Sequence, residues 1–185
     1  MSPGERPFRG ESRAGLSEGL ARALVVADGL MGAHYVHELW MRGEMPVTIE
    51  RALEGLWAHA SHSIPDWLPM RYFDWLPKAY EVAREFRGSG RGKANIYLVL
   101  LDYRDRAQGD DYGVYVGMSN YSPAERFDQH KAGIRAAGSV LKRGMEVVTG
   151  PTLHLQHIKR RDAQRIEIEL AAALTESGLI VKGGH

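Results

Sequence analysis

Residues 94–102 read Ala94-Asn95-Ile96-Tyr97-Leu98-Val99-Leu100-Leu101-Asp102, and residues 112–117 read Tyr112-Gly113-Val114-Tyr115-Val116-Gly117. Both runs are short, rich in aliphatic, β-branched and aromatic residues, and bounded by polar or glycine-containing stretches, which is the pattern of strands. The polar stretch from Tyr103 to Asp111 suits a hairpin connection between them. Soon after, Ser122-Pro123-Ala124-Glu125 places a capping serine, a proline at the first helical position and a glutamate at the third, so a helix is expected to about Ala137. Further on, Leu153 to Ile158 reads as a third strand, Asp162 to Ser177 as a helix ended by Gly178, and Leu179 to Val181 as a last strand. This alternation predicts a small α/β (α+β) domain over residues 94–185, with a central β-sheet flanked by helices.

The preceding residues read as helices. From Ser17 to about Met41, Leu20, Leu24, Ala27, Met31 and Tyr35 recur at three- and four-residue steps, the stripe of one helix. Thr48 can cap a second, through Ile49, Leu53, Leu56 and Trp57. Ile64 to Pro69 must be irregular, because each proline removes a donor and disfavours helix before it. Pro77 to Phe86 reads as another helix. All four tryptophans lie in this half. The glycine-rich basic stretch Arg87 to Lys93 reads as a linker. The expected organisation is a helical accessory domain over 1–87, a linker over 88–93 and the sheet domain over 94–185.

Composition removes several function classes. The 185 residues include no cysteine, which excludes disulfides, thiolate metal sites and cysteine nucleophiles. No stretch supplies the roughly 20 apolar residues of a membrane span, and the mixed-charge N-terminus is no signal peptide. The expectation is a soluble, cytoplasmic chain with no membrane partner. Net charge is +1, divided as −2 over residues 1–90 (10 Lys and Arg against 12 Asp and Glu) and +3 over 91–185 (14 against 11). Any nucleic-acid field must therefore be local and belongs to the second half.

That half also holds the residues suited to chemistry. Tyr97 and Tyr115 stand on paired strands. Arg126 and His130, four apart, share one helix face. Carboxylates follow on a later helix. An arginine, a histidine, phenols and a carboxylate can together hold a metal ion and a phosphate, as phosphodiester chemistry requires. On the later helix, at about 100° per residue, Ile166, Leu170, Ala173 and Leu174 form a stripe; Glu167 lies about 65° from its centre and Glu169 about 95° away. Glu167 is thus nearer the buried edge.

In order and spacing these residues resemble the GIY-YIG nucleases, over about residues 94–185. Ile96-Tyr97 resembles the end of the first motif, with Asn95 where glycine is usual, and Tyr115-Val116-Gly117 resembles the second, continued by Met118-Ser119. Arg126 with His130 resembles the family's arginine helix, Ile166-Glu167 its metal-binding helix, and Gly178 to His185 its closing segment, here without the common asparagine. The resemblance implies a divalent-metal-dependent endonuclease acting on DNA. It implies Mg²⁺ or Mn²⁺ held by Glu167, Arg126 stabilising charge on the phosphate, Tyr97 and Tyr115 positioning or deprotonating the attacking water, and His130 orienting a tyrosine or relaying the proton, the last three roles being interchangeable.

Other readings compete. A catalytically inactive DNA-binding module of the same fold would bind without cutting. A protein-interaction domain could instead be built on the Trp/Pro-rich helical half, around Trp67 and Trp75. The pairs His34/His37, His59/His62 and His154/His157 raise a zinc site, for which the sequence supplies no linked third ligand. Lys159-Arg160-Arg161 could contact phosphates or be a solvated run.

Overall fold

The computed structural model describes residues 6–184. The chain divides into two compact units between Pro77 and Lys78. Among the described residues no helix is long and apolar enough to cross a membrane.

The first unit is helical: α1 (Arg13–Val25), α2 (Gly29–Met41) and α3 (Pro46–Ala60) pack on one another. The stripe from Leu20 to Tyr35 is therefore two helices, not one. Ala27 breaks it by adopting the left-handed region (φ 55°), and the Asp28 carboxylate restarts it by accepting the Met31 N–H at 3.0 Å. α3 begins at Pro46 after Met45, so Thr48 lies inside the helix rather than capping it. Beyond α3, the Trp67 ring lies 5.1 and 5.8 Å from those of His34 and His37, and Phe73 packs edge-on to Trp40. Trp67 and Trp75 are buried. The Trp/Pro segment thus contributes core rather than a surface of exposed indoles.

α4 (Leu76–Ala83) spans the division, and the second unit is a four-stranded mixed sheet flanked by helices. β1 (Asn95–Asp102) is central and buried on both faces, which explains its unbroken apolar run. β2 (Tyr112–Ser119) pairs antiparallel with it across the hairpin. The chain then forms α5 (Pro123–Lys131), α6 (Gly138–Arg143) and β3 (Gly144–Val148), which runs antiparallel along the other edge of β1. α7 (Arg160–Glu176) packs on β1 and β2 and leads to β4 (Val181–Gly183), parallel to β2.

Three expectations are corrected here. The third strand is Gly144–Val148, not Leu153–Ile158. Pro151 starts a 3-10 helix, Gly150–Leu155, because it lacks an N–H for pairing and its fixed φ suits a first turn; Ile158 reaches the sheet only through a bridge to Ala94. The helix capped by Ser122 stops at Lys131, where Gly133 at φ +77° turns the chain. The stretch 88–93 lies along residues 157–162: the Ser89 N–H and hydroxyl both donate to Asp162 Oδ2 at 2.8 and 2.6 Å, and the Gly92 N–H donates to His157 O at 2.8 Å. Those bonds tie it into the second unit.

Candidate functional site

The β1–β2 register sets the site's floor. Tyr97 faces Gly117 and Val99 faces Tyr115, so both phenols project from one face as a diagonal pair, ring centroids 6.0 Å apart. A Cβ at Gly117 would stand 2.6 Å from Tyr97 Oη and 2.6 Å from a ring carbon of Tyr115. Glycine there is the condition for the two phenols to approach each other.

α5 lays its own residues over that face. Its start is fixed by a full capping box: Ser122 accepts the Glu125 N–H, and the Glu125 carboxylate accepts the Ser122 N–H at 2.9 Å. Phe127 anchors the helix in the core with Tyr97, Val99 and Val140, which turns His130 inward. The His130 Nδ1 accepts the Ala137 N–H at 2.9 Å, and its Nε2 meets Tyr97 Oη at 2.9 Å. An Nδ1 that accepts carries no proton, so a neutral ring carries it on Nε2 and donates to Tyr97. Burial and then the nearby Arg126 push His130 down to about 4, keeping it neutral near pH 7. One backbone amide, at Ala137, thereby sets the direction of the chain through His130 to Tyr97. Tyr115 completes the cluster, its ring centroid 6.0 Å from that of Tyr97 and, edge-on, 5.8 Å from that of His130.

The phenols are unequal. Tyr97 is 1% exposed, while Tyr115 is half-buried. Burial, and then Tyr115, push Tyr97 far up against the pull of Arg126. Tyr115 is raised by burial and by Glu167, against the pull of Tyr97 and the charge of Arg126. Both are protonated at neutral pH.

Arg126 donates from Nη1 to Gln129 Oε1 (3.1 Å) and Ile134 O (3.2 Å), and from Nη2 to Arg135 O (2.8 Å). Uncharged acceptors hold the fork in place without neutralising it. On α7, Glu167 Oε1 accepts the Met118 N–H at 3.1 Å, joining that helix to the end of β2. Glu169 points elsewhere, into an exposed pair with Arg165. Glu167 and Arg126 line one cleft of about 710 Å³, together with Arg135, Arg160, Tyr121 and Gln164. Three arginines against one glutamate give this cleft a positive field. The five residues singled out in the sequence thus fall on two layers: Arg126 and Glu167 line the cleft, Tyr97 and His130 are sealed, and Tyr115 stands between them in the electrostatic reach of both cleft residues.

Several contributors escaped the sequence reading. Asn95, standing where glycine was expected, is buried; it donates to Tyr121 O at 2.9 Å and accepts the His157 N–H at 2.9 Å, pinning one cleft edge. Arg135 enters through a left-handed turn (φ 46°) after Gly133. Arg160 belongs to the basic run already noted, and α7 aims it at the cleft. Of the histidine pairs and their neighbours, Glu38, beside His37, is bonded to Arg6 and Arg42, and His154 to Ala83 O. His185, in the closing segment, lies outside the described residues. Among the described residues no three His, Asp or Glu side chains come together to hold a metal ion.

No family model matches this chain, nor does any curated protein or solved structure.

Proposed function

We propose that this chain is a divalent-metal-dependent endonuclease of GIY-YIG type that hydrolyses DNA phosphodiester bonds. One observation carries the reading: Arg126 and Glu167, forty-one positions apart in sequence, line one positively charged cleft, and the Tyr97–His130–Tyr115 network lies against it.

The roles follow from exposure and charge. A phosphate entering the cleft meets Arg126, Arg135 and Arg160. Arg126 is the one whose fork is preset by carbonyl acceptors, so it is poised for charge that develops on the phosphoryl oxygens. Tyr115 is the phenol within reach of the substrate side. Protonated at neutral pH, it orients the attacking water by hydrogen bonding rather than standing ready as a phenolate base. Tyr97 and His130 are positioning residues: sealed from solvent and hydrogen-bonded to each other, they pack against the Tyr115 ring and fix where it stands. Glu167 is the residue that would hold Mg²⁺ or Mn²⁺. A single carboxylate at an open cleft fits a hard cation that keeps most of its waters and takes its other ligands from substrate phosphate. Bound there, such an ion supplies Lewis-acid stabilisation of the phosphate.

The test is plasmid nicking with Mg²⁺ or Mn²⁺ by the wild type, Arg126→Ala and Glu167→Gln. Cleavage by the wild type, lost in both variants, is the expected result. Equal nicking by all three identifies a contaminant and overturns the reading. Salt-sensitive DNA binding without cleavage in either metal overturns it in favour of a non-catalytic binding module.

A further inference from the structure

Two large apolar side chains stand out at the rim of this cleft. Tyr121 is 55% exposed and Ile134 is 56% exposed, although each is carried on backbone that is firmly held. The Tyr121 N–H donates to Ser119 Oγ at 3.0 Å, and its carbonyl accepts from Asn95 Nδ2 at 2.9 Å. Both of those partners are buried. Elsewhere in the lining, the Ile134 N–H donates to Gln129 O at 2.8 Å and its carbonyl accepts from Arg126. Each residue therefore has its backbone donor and acceptor both engaged, while its side chain projects toward solvent. A pinned backbone presenting an exposed ring is a preorganised platform, because little ordering remains for the ligand to impose.

The rest of the lining says what the platform receives. Arg126, Arg135 and Arg160 offer phosphate contacts beside the ring. Arginines that follow a backbone, with an aromatic face beside them, are the pattern of single-strand recognition, since stacking needs a base whose face is uncovered. Within an intact duplex every face is already stacked and only edges are presented. Ile134 adds an exposed aliphatic surface in the same lining, against which an uncovered base can pack.

We propose that Tyr121 and Ile134 pack on unpaired bases, so that the substrate class of this cleft is DNA with a single-stranded segment beside the scissile phosphate, as in a fork or flap. The proposal rests on the nuclease reading above, which names the bond that is cut but not the state of the strand.

Anisotropy with fluorescein-labelled oligonucleotides in EDTA reads binding without cleavage. The probes are a splayed fork, the corresponding single strand and a blunt duplex of the same sequence. The wild type is expected to bind fork and single strand on the order of tenfold more tightly than duplex. Tyr121→Ala erases that preference, and Tyr121→Phe keeps it, because the ring and not the hydroxyl is at work. Equal affinity for fork and duplex, or an unchanged preference in Tyr121→Ala, overturns the proposal. Cleavage assays on the same probes separate the two readings. Tyr121-dependent fork binding with no cleavage in Mg²⁺ or Mn²⁺ removes the nuclease and keeps the platform. Equal cutting of fork and duplex keeps the nuclease and removes the platform, and no DNA binding at all removes both.

Discussion

Glu38 in the helical unit and Glu167 in the sheet unit both have arginines nearby, and the two groupings are built to opposite ends. Glu38 is 1% exposed; Arg6 donates to both of its oxygens at 2.9 Å and Arg42 to Oε1 at 2.7 Å. Burial works against the charged carboxyl, and the two arginines outweigh it, holding Glu38 below the usual carboxylate range. Arg42 then donates to the carbonyls of Phe8, Arg9 and Glu11, so the cluster fastens the chain ahead of α1 onto α2. At the cleft, Arg126 is held by carbonyls and Gln129, while Glu167 accepts a backbone N–H. Opposite charges joined and buried make scaffold. Along the open cleft Arg126 is anchored by neutral acceptors instead, and its field is kept for a ligand.

Substitution separates the two directly. Glu38→Gln leaves two arginines facing a neutral amide inside the helical unit and is expected to cost about 3 kcal/mol, the low end for a broken buried pair because both arginines are partly exposed. Urea denaturation reads it. Glu167→Gln, in the same experiment, should shift stability by about 0.5 kcal/mol or less, because an amide oxygen of the same shape can still accept the Met118 N–H, while DNA cleavage is lost. If Glu167→Gln unfolds the protein as readily as Glu38→Gln, the contrast collapses and Glu167 is scaffold too. Arg126→Lys sharpens the functional side. An ammonium cannot reproduce a planar fork spread over three acceptors, so cleavage should fall about 10²-fold or more with the fold intact. Recovery of near wild-type rates by lysine would show that charge alone suffices there.

How much of this was legible differs between the units for physical reasons. β1 announced itself because a strand covered on both faces has no polar alternation to disguise it, and α5 because Ser122, Pro123 and Glu125 act on their own neighbours. Glu167 could be chosen over Glu169 since a helical wheel is local geometry. β3 was missed because Gly144 to Val148, with Glu146 at its middle, runs along an edge and draws its pairing from β1, distant in sequence. The break at Ala27 was hidden by a helical stripe that continues across it. Tyr121 and Arg135 could not be read, since each reaches the cleft through long-range or turn geometry: the Asn95 side chain for one, the left-handed step after Gly133 for the other.

Gly117→Ala probes the sheet floor on which the site stands. The added methyl would meet Tyr97 Oη and the Tyr115 ring at 2.6 Å, and Tyr97 is sealed with no open space to retreat into. Overpacking of this kind is expected to cost about 1–3 kcal/mol and to separate the phenols, lowering cleavage as well. Tyr97→Phe removes the clashing oxygen but leaves the ring carbon at 2.7 Å and the Tyr115 ring at 2.6 Å, so combined with Gly117→Ala it should recover at most part of the stability in denaturant and none of the cleavage. Wild-type stability in Gly117→Ala alone would show that the floor yields and that glycine is not required there.

The smallest effect per unit of perturbation concerns protons, and it again sets the units side by side. His37 and His130 are both buried and both held neutral, His37 down to about 3 by burial and then Arg6, and His130 to about 4 by burial and then Arg126. A histidine whose folded pKa lies below its unfolded value near 6.5 binds more protons when the chain unfolds. Stability therefore rises with pH through the interval between the two values and is lost as pH falls through it, by at most about 1.4 kcal/mol per pH unit for each group. Both units should soften below about pH 6.5, with the His130 contribution levelling near 4 and that of His37 continuing to about 3. Melting temperatures between pH 7.5 and 5, where carboxylate protonation intrudes least, are the measurement. His130→Gln, whose amide oxygen can still accept the Ala137 N–H, should flatten part of the slope and leave the His37 part. An unchanged slope in His130→Gln would mean that the ring charges in the folded state, and the fixed direction of the Ala137–His130–Tyr97 chain would fall with it.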